Sequence, residues 1–264
     1  EKLAGQFGGE IRPNAMAAFV NPAAKRLRVS IETIEYSQLV LATGAHCRLL
    51  PFKGDAVQRM CSVNNRLDYA RFRQAVAGSK HITIIGAGLI GCEFATIFAN
   101  FGKTEVHLID RAERILPFED KDISDLISKN MEKQGVVIHR KSQLKRIEIK
   151  NGIVEYEIEN EDGKSEIIEV EKALLSIGRT PNIKSLKIEN AGIAMSKRGV
   201  HIGDVDTQTS VPHIYAVGDV SGRIPLVNVG EREARHAVVK MFADFPVKPI
   251  NYENVSTIMF LNPV

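Results

Sequence analysis

One run of thirty residues constrains this chain more than any other: His81 to Asp110, reading HITIIGAGLIGCEFATIFANFGKTEVHLID. A short apolar run, Ile82 to Ile85, leads into Gly86, Gly88 and Gly91. A helix-length apolar segment follows, and a second apolar run, Val106 to Ile109, ends in Asp110. That order predicts a strand, a turn, a helix and a second strand. Each glycine meets a separate physical need. Gly86 lets the chain turn tightly off the strand, Gly88 has no side chain to keep a pyrophosphate from the backbone, and Gly91 lets the helix pack close to the sheet. Leu89 and Ile90 sit at the helix start, where unpaired N–H groups and the dipole favour an anion by roughly 0.3 to 2 kcal/mol. Asp110 lies nineteen residues after Gly91, where an acid accepts hydrogen bonds from the hydroxyls of an adenosine ribose. Its charge repels a 2′-phosphate, so NAD is expected ahead of NADP. Arg111 leaves an alternative open: it either holds a 2′-phosphate or is a solvated surface arginine.

With 264 residues, 44% of them hydrophobic, the chain is long enough for one large α/β domain or two modest ones. The net charge is only +3, and basic residues are scattered among acids, so neither nucleic acid nor an anionic membrane is an expected partner. Every apolar stretch falls short of the roughly 18 residues that span a bilayer. The opening EKLAGQFGGE has no signal-like apolar core, and it lacks a methionine, so an excerpt from a longer protein is expected. Cys47, Cys61 and Cys92 form no close pair, which suits reduced thiols in a cytoplasmic protein. Cys92, in the apolar helix, reads as a buried small hydrophobe, with a reactive thiol as the alternative. No metal site is expected.

Residues 1 to about 50 alternate like sheet, with strands at Lys25–Ile31 and Tyr36–Ala42, the second closing on Thr43 and Gly44. Residues 51–80 read as a polar connector with a short helical pattern at Leu67, Tyr69, Phe72 and Val76. Beyond Asp110, Ile123, Leu126, Ile127 and Met131 are spaced for a helix over 120–134, stopped by Gly135. A strand at Val136–His139 follows, then a hairpin with Asn151–Gly152 as its two-residue turn. After Asp162–Gly163 comes Ser165–Val170, completing an antiparallel meander, and Lys172–Ile177 returns as a buried strand. A strand at His213–Val217 runs into Gly218 and Asp219, where an acid at a strand's C-terminal edge either binds a ribose or ribityl hydroxyl or caps the turn. A helix over Val229–Phe242 and a new strand beginning at Tyr252 complete the reading. The fold class is α/β: a Rossmann-like NAD-binding domain with an antiparallel insert, flanked by parts of a second nucleotide fold. The expected domains are 1–65, 66–178, 179–250 and 251–264.

Four motifs, LVLATG (39–44), IIGAGLIGCEFA (84–95), SIGRTPN (176–182) and TSVPHIYAVGDVSG (209–222), occur in an order and at separations that resemble the FAD/NAD(P)-dependent pyridine nucleotide-disulfide oxidoreductases. The resemblance covers essentially the whole chain. It implies that Thr43, Gly44, Gly218 and Asp219 bind FAD, and that Gly86, Gly88, Leu89, Ile90, Gly91, Asp110 and Arg111 hold NAD. By the same resemblance Glu93 lies near the nicotinamide, and Gly178 and Arg179 form a strand-end turn close to the nucleotide. The family's first FAD glycine loop, its paired redox cysteines and its C-terminal acid–base pair do not occur in this sequence. His201, His213 and His236 do not match the catalytic histidine and read as surface or turn residues. Residues 36–98 look most like rubredoxin reductases, whereas the chain from Arg114 onward is closer to dihydrolipoamide dehydrogenase and soluble transhydrogenase. The implied activity is hydride transfer between NAD(H) and flavin in the manner of dihydrolipoamide dehydrogenase. Two alternatives stand: a flavoprotein without a redox disulfide, serving NADP or a small redox protein, and a non-catalytic nucleotide-binding fragment. The 251–264 segment resembles the opening of a dimerisation domain, so a homodimer is implied for the full-length protein.

Overall fold

The computed structural model describes residues 5–6, 8–50, 60–201 and 206–262. In chain order the strands are Ala17–Asn21 (β1), Arg26–Val29 (β2), Glu32–Glu35 (β3), Leu39–Leu41 (β4), Ala45–Cys47 (β5) and Met60–Cys61 (β6). Helix α1 spans Arg66–Ala75, followed by His81–Ile85 (β7), helix α2 at Leu89–Phe101, Glu105–Ile109 (β8), helix α3 at Lys121–Lys133 and Val136–His139 (β9). Strands Gln143–Lys150 (β10), Ile153–Glu159 (β11), Ser165–Val170 (β12), Lys172–Leu175 (β13), Arg179–Pro181 (β14) and Ile214–Ala216 (β15) precede helix α4 at Val227–Phe242. The chain divides into two compact units. The first contains Glu1–Ala45 and Thr180–Ser256, and the second contains His46–Arg179 and Thr257–Val264.

The second unit is layered. Its central sheet runs β6-β13-β7-β8-β9 with every pairing parallel. Strands buried on both faces must be apolar nearly throughout, and the Ile82–Ile85 and Val106–Ile109 runs satisfy this. Ile82, Ile84, Val106, Leu108, Val136 and Leu174 point toward helices α1 to α3, where Phe72, Cys92, Ala95, Ile127 and Met131 complete one core. On the opposite face Ile85, Ile109 and Leu175 meet the antiparallel sheet β10-β11-β12, whose Leu144, Ile147, Val154, Tyr156, Ile158 and Val170 form another. Asn151 and Gly152 both adopt positive φ, 52° and 85°, as a type I′ hairpin turn requires.

A polar seam crosses this second interface. His107 Nδ1 lies 3.0 Å from His139 Nε2, and the ring centroids are 5.3 Å apart with planes inclined by 20°. That centroid separation is the nitrogen–nitrogen distance plus two ring radii, so the rings meet edge to edge in a shared hydrogen bond.

In the first unit β1, β2 and β3 form an antiparallel sheet. Strands β4 and β15 pair in parallel, Leu39 to Leu41 against Ile214 to Ala216. Val20, Leu41, Leu186, Ile188, Val200, Ile214 and Ala216 share its core, and Tyr215 and Val217 pack against Ala237 of α4.

Several expectations change. β3 occupies the residues between the two expected strands, because Glu32–Glu35 pairs with β2. Among the described residues, those after Tyr252 form no strand: Leu261 is buried against the α/β core, where no strand edge receives the segment, and residues 263–264 lie outside those described. Ile123 and Leu126 of α3 are exposed, and the buried stripe is completed by Ser124 and Ser128. Similarly, only Phe72 of α1 is buried. His236, read as a surface or turn residue, has a side chain only 10% exposed and pairs with Asp206 at 3.3 Å. His213 is half-buried against Tyr36.

Candidate functional site

The glycine turn follows directly from β7. Gly86 has φ +102°, and a Cβ there would lie 2.6 Å from the Ser176 carbonyl oxygen. A side chain is therefore excluded on both conformational and steric grounds. At Gly91 a Cβ would fall 1.9 Å from the carbonyl oxygen of Gly86, so the first turn of α2 rests directly on the loop. Gly88 differs. It caps α2 without a side-chain hydrogen bond, and a Cβ there would meet nothing within 4 Å. The loop is closed underneath and open above, with the uncapped helix start carrying Leu89 and the exposed Ile90.

Asp110 reaches back to this loop from the end of β8. Its Oδ2 accepts the Ala87 N–H at 2.6 Å and its Oδ1 accepts the Ala112 N–H at 2.8 Å. Each carboxylate oxygen has further lone-pair capacity, so both can also accept from a ligand hydroxyl. Arg111 beside it is exposed. From the end of β13, Ser176 bonds the carbonyls of Ile85 and Gly86 at 3.0 and 2.9 Å. Gly178, with φ +105°, follows, accepting the Arg48 N–H at 2.9 Å, and the half-buried Arg179 comes next. Glu93 lies one helical step beyond the turn, where its Oε1 accepts the Phe260 N–H at 3.1 Å. Cys92 is fully buried; burial and the nearby acids Asp110 and Glu93 push its thiol up to about 12, which fits an inert packing residue.

The first unit brings together the other sequence candidates. Thr43 and Gly44 follow β4 while Gly218 and Asp219 follow β15, so both pairs stand at the C-terminal edge of adjacent parallel strands. Thr43 Oγ1 donates to the Asn182 carbonyl at 2.8 Å, and Asn182 Nδ2 returns a bond to the Thr43 carbonyl at 2.9 Å. Gly218, with φ +70°, donates its N–H to Glu233 Oε2 at 2.6 Å.

Ser176 and Glu233 escaped the sequence reading. Ser176 opens the SIGRTPN motif, but nothing local in the sequence points to the carbonyls it bonds. Glu233 had a signal: with Val229 and Ala237 it forms the buried row of α4, so it is an acid at i, i+4 spacing where apolar residues are expected.

A parallel sheet closing on a glycine turn, a helix and an acid is a Rossmann-like arrangement. The sequence matches the profile of the pyridine nucleotide-disulphide oxidoreductases over residues 10–234. A rubredoxin-NAD(+) reductase of Alcanivorax borkumensis is 36% identical over 221 residues, covering 83% of this chain and 56% of that protein. A dihydrolipoyl dehydrogenase of Bacillus subtilis is 30% identical over 274 residues, covering 99% and 55%. Among solved structures, the HOCl-induced flavoprotein disulfide reductase RclA from Escherichia coli is similar with a TM-score of 0.74 at 29% identity, over 89% of this chain and 51% of that one. The chain therefore belongs to the pyridine nucleotide-disulphide oxidoreductase family, and it spans about half the length of these curated relatives.

Proposed function

We propose that the chain carries the NAD(H) site and part of the FAD site of a flavin-dependent oxidoreductase. The second unit is assigned to the nicotinamide nucleotide and the first to FAD. The observation that carries this reading is the glycine turn: closed beneath Gly86 and Gly91, open above Gly88, and tied through Ala87 to Asp110. That open space and the uncapped start of α2 fit a diphosphate, and Asp110 fits a ribose bearing free hydroxyls. When bound, the two cofactors supply hydride exchange between nicotinamide and flavin. The protein's part is to hold the diphosphate on α2, orient the ribose through Asp110 and present Asp219 to hydroxyls of the flavin nucleotide.

For the electron acceptor the reading is a dithiol, in the manner of the dihydrolipoyl dehydrogenases, which match 99% of this chain in one case. The 36% identity to a rubredoxin-NAD(+) reductase favours a small redox protein as the second reading, with NADP a third. Assays of the full-length protein with dihydrolipoamide, rubredoxin and NADP, each with NAD(H) as partner, separate them. That Cys47, Cys61 and Cys92 form no disulfide supports a cytoplasmic location, and the family resemblance supports a homodimer. Among the described residues no helix is long and apolar enough to cross a membrane.

The nucleotide assignment is tested by titrating the protein and Asp110→Ala with NADH and NADPH. The substitution is expected to weaken NADH binding about tenfold, on the order of 1.4 kcal/mol, and to narrow its advantage over NADPH. Unchanged selectivity would overturn the role given to Asp110.

A further inference from the structure

The turn at Gly218 is anchored by an acid that no motif in the sequence includes. Glu233 is 1% exposed, yet both oxygens are used. Oε2 accepts the Gly218 N–H at 2.6 Å and Oε1 accepts the Tyr252 hydroxyl at 3.0 Å. The Arg223 guanidinium lies over the Tyr252 ring, 4.0 Å from its centre, fixing the tyrosine from its far side. Gly230, one helical turn before Glu233, faces the same turn: a Cβ there would meet the Gly218 Cα at 3.4 Å, an ordinary van der Waals contact.

A buried carboxylate is costly unless its oxygens are paired, and packing alone would be served by an apolar side chain between Val229 and Ala237. Burial pushes the Glu233 carboxyl up, opposed by the Gly218 N–H, the Tyr252 hydroxyl and Arg223, and reinforced by the neighbouring Asp219. Even with both oxygens paired, a buried acid is often no more stabilising than an apolar side chain of similar volume. What it gains is conformational: the Gly218 N–H is satisfied inside the protein, and the glycine is held in the left-handed region from which Asp219 follows.

We propose that Glu233 is a positioning residue for the flavin nucleotide, locking the Gly218 turn so that Asp219 stands at the C-terminal edge of β15, with Tyr252 and Arg223 as its support. This rests on the reading of that edge as the FAD site. Asp219 touches the ligand, and Glu233 acts through it.

The test uses the full-length protein and its Glu233→Ala, Glu233→Gln and Tyr252→Phe variants. FAD affinity is measured by titrating the apoprotein, Gly218 amide protection by hydrogen exchange, and NADH affinity as an internal control. Glu233→Ala is expected to weaken FAD binding about tenfold, with accelerated exchange at Gly218, because a buried donor loses its acceptor. Glu233→Gln keeps an acceptor oxygen and is expected to lose about threefold, which keeps the test alive where Glu233→Ala fails to fold. NADH affinity stays unchanged in each. Variants that melt at lower temperature but bind FAD as the parent does would overturn the assignment and leave a structural role only. A parent protein that takes up no FAD would instead overturn the functional reading, and this assignment with it.

Discussion

The two turns that carry the site residues hang from the same kind of bond. In the second unit Asp110 accepts the Ala87 N–H, and in the first Glu233 accepts the Gly218 N–H, both at 2.6 Å. Around that bond they are built differently. The Gly86 turn is fixed by exclusion, because carbonyl oxygens of Ser176 and Gly86 fill the space where Cβ atoms would stand. The Gly218 turn has room around it, with the helix glycine Gly230 making only an ordinary van der Waals approach. Steric closure fixes the first, and a buried carboxyl group fixes the second. Backbone that cannot move needs only glycine in the right places, whereas backbone with space needs a side chain to hold it.

The largest effect should come from filling a closed space. Gly91→Ala places a methyl within 1.9 Å of the Gly86 oxygen, and the overlap is expected to cost the second unit about 3 kcal/mol. Gly230→Ala, the matching change in the first unit, meets only a contact at 3.4 Å. It is expected to be neutral or to stabilise by about 0.5 kcal/mol, since alanine is the better helix residue. Chemical denaturation of the two variants checks this, and equal losses would erase the distinction between the turns.

Gly88→Ala should have a smaller effect of another kind. A Cβ at Gly88 meets no protein atom within 4 Å, so the melting temperature should stay at the parent value. The added methyl would instead occupy the space assigned to the diphosphate, and NADH binding is expected to weaken about tenfold, on the order of 1.4 kcal/mol. A variant that binds NADH normally would show that the space above α2 is not the ligand's.

The same contrast explains what was legible in the sequence. The strand, turn, helix and strand from His81 to Ile109 could be read because Gly86 turns at positive φ and Gly91 packs on the Gly86 carbonyl, and such local requirements leave a pattern. The Asn151–Gly152 hairpin was legible for the same reason. β3 was not, because Glu32–Glu35 has no apolar run of its own and becomes a strand only by pairing with β2. Nor was the exposure of Ile123 and Leu126, since helical spacing tells which residues share a face but not how much of that face is covered. Ser176 and Glu233 act on backbone groups ninety and fifteen residues away in sequence, and such partners are set by the fold alone.

The smallest predicted effect sets the two units against each other through pH. In the second unit burial lowers His139, with His107 beside it acting in the same direction and Glu166 opposing. Its folded pKa thus lies below the ordinary 6.5, the folded state binds fewer protons than the unfolded, and stability is lost as pH falls through that region. In the first unit Glu233 lies above its ordinary 4.5. There the folded state holds the proton more tightly, so stability is gained as pH falls toward 4.5 and lost as it rises through the folded pKa. Between the two ordinary values the units should therefore respond with opposite slopes, each below about 1.4 kcal/mol per pH unit, the limit for one proton. Hydrogen exchange at Leu108 and Ala216, buried strand residues of the second and first units, reads the units separately. His139→Gln should flatten the response at Leu108 alone and Glu233→Gln the response at Ala216 alone. Parallel slopes at both sites, untouched by either substitution, would mean that neither buried group sets the pH response of its unit.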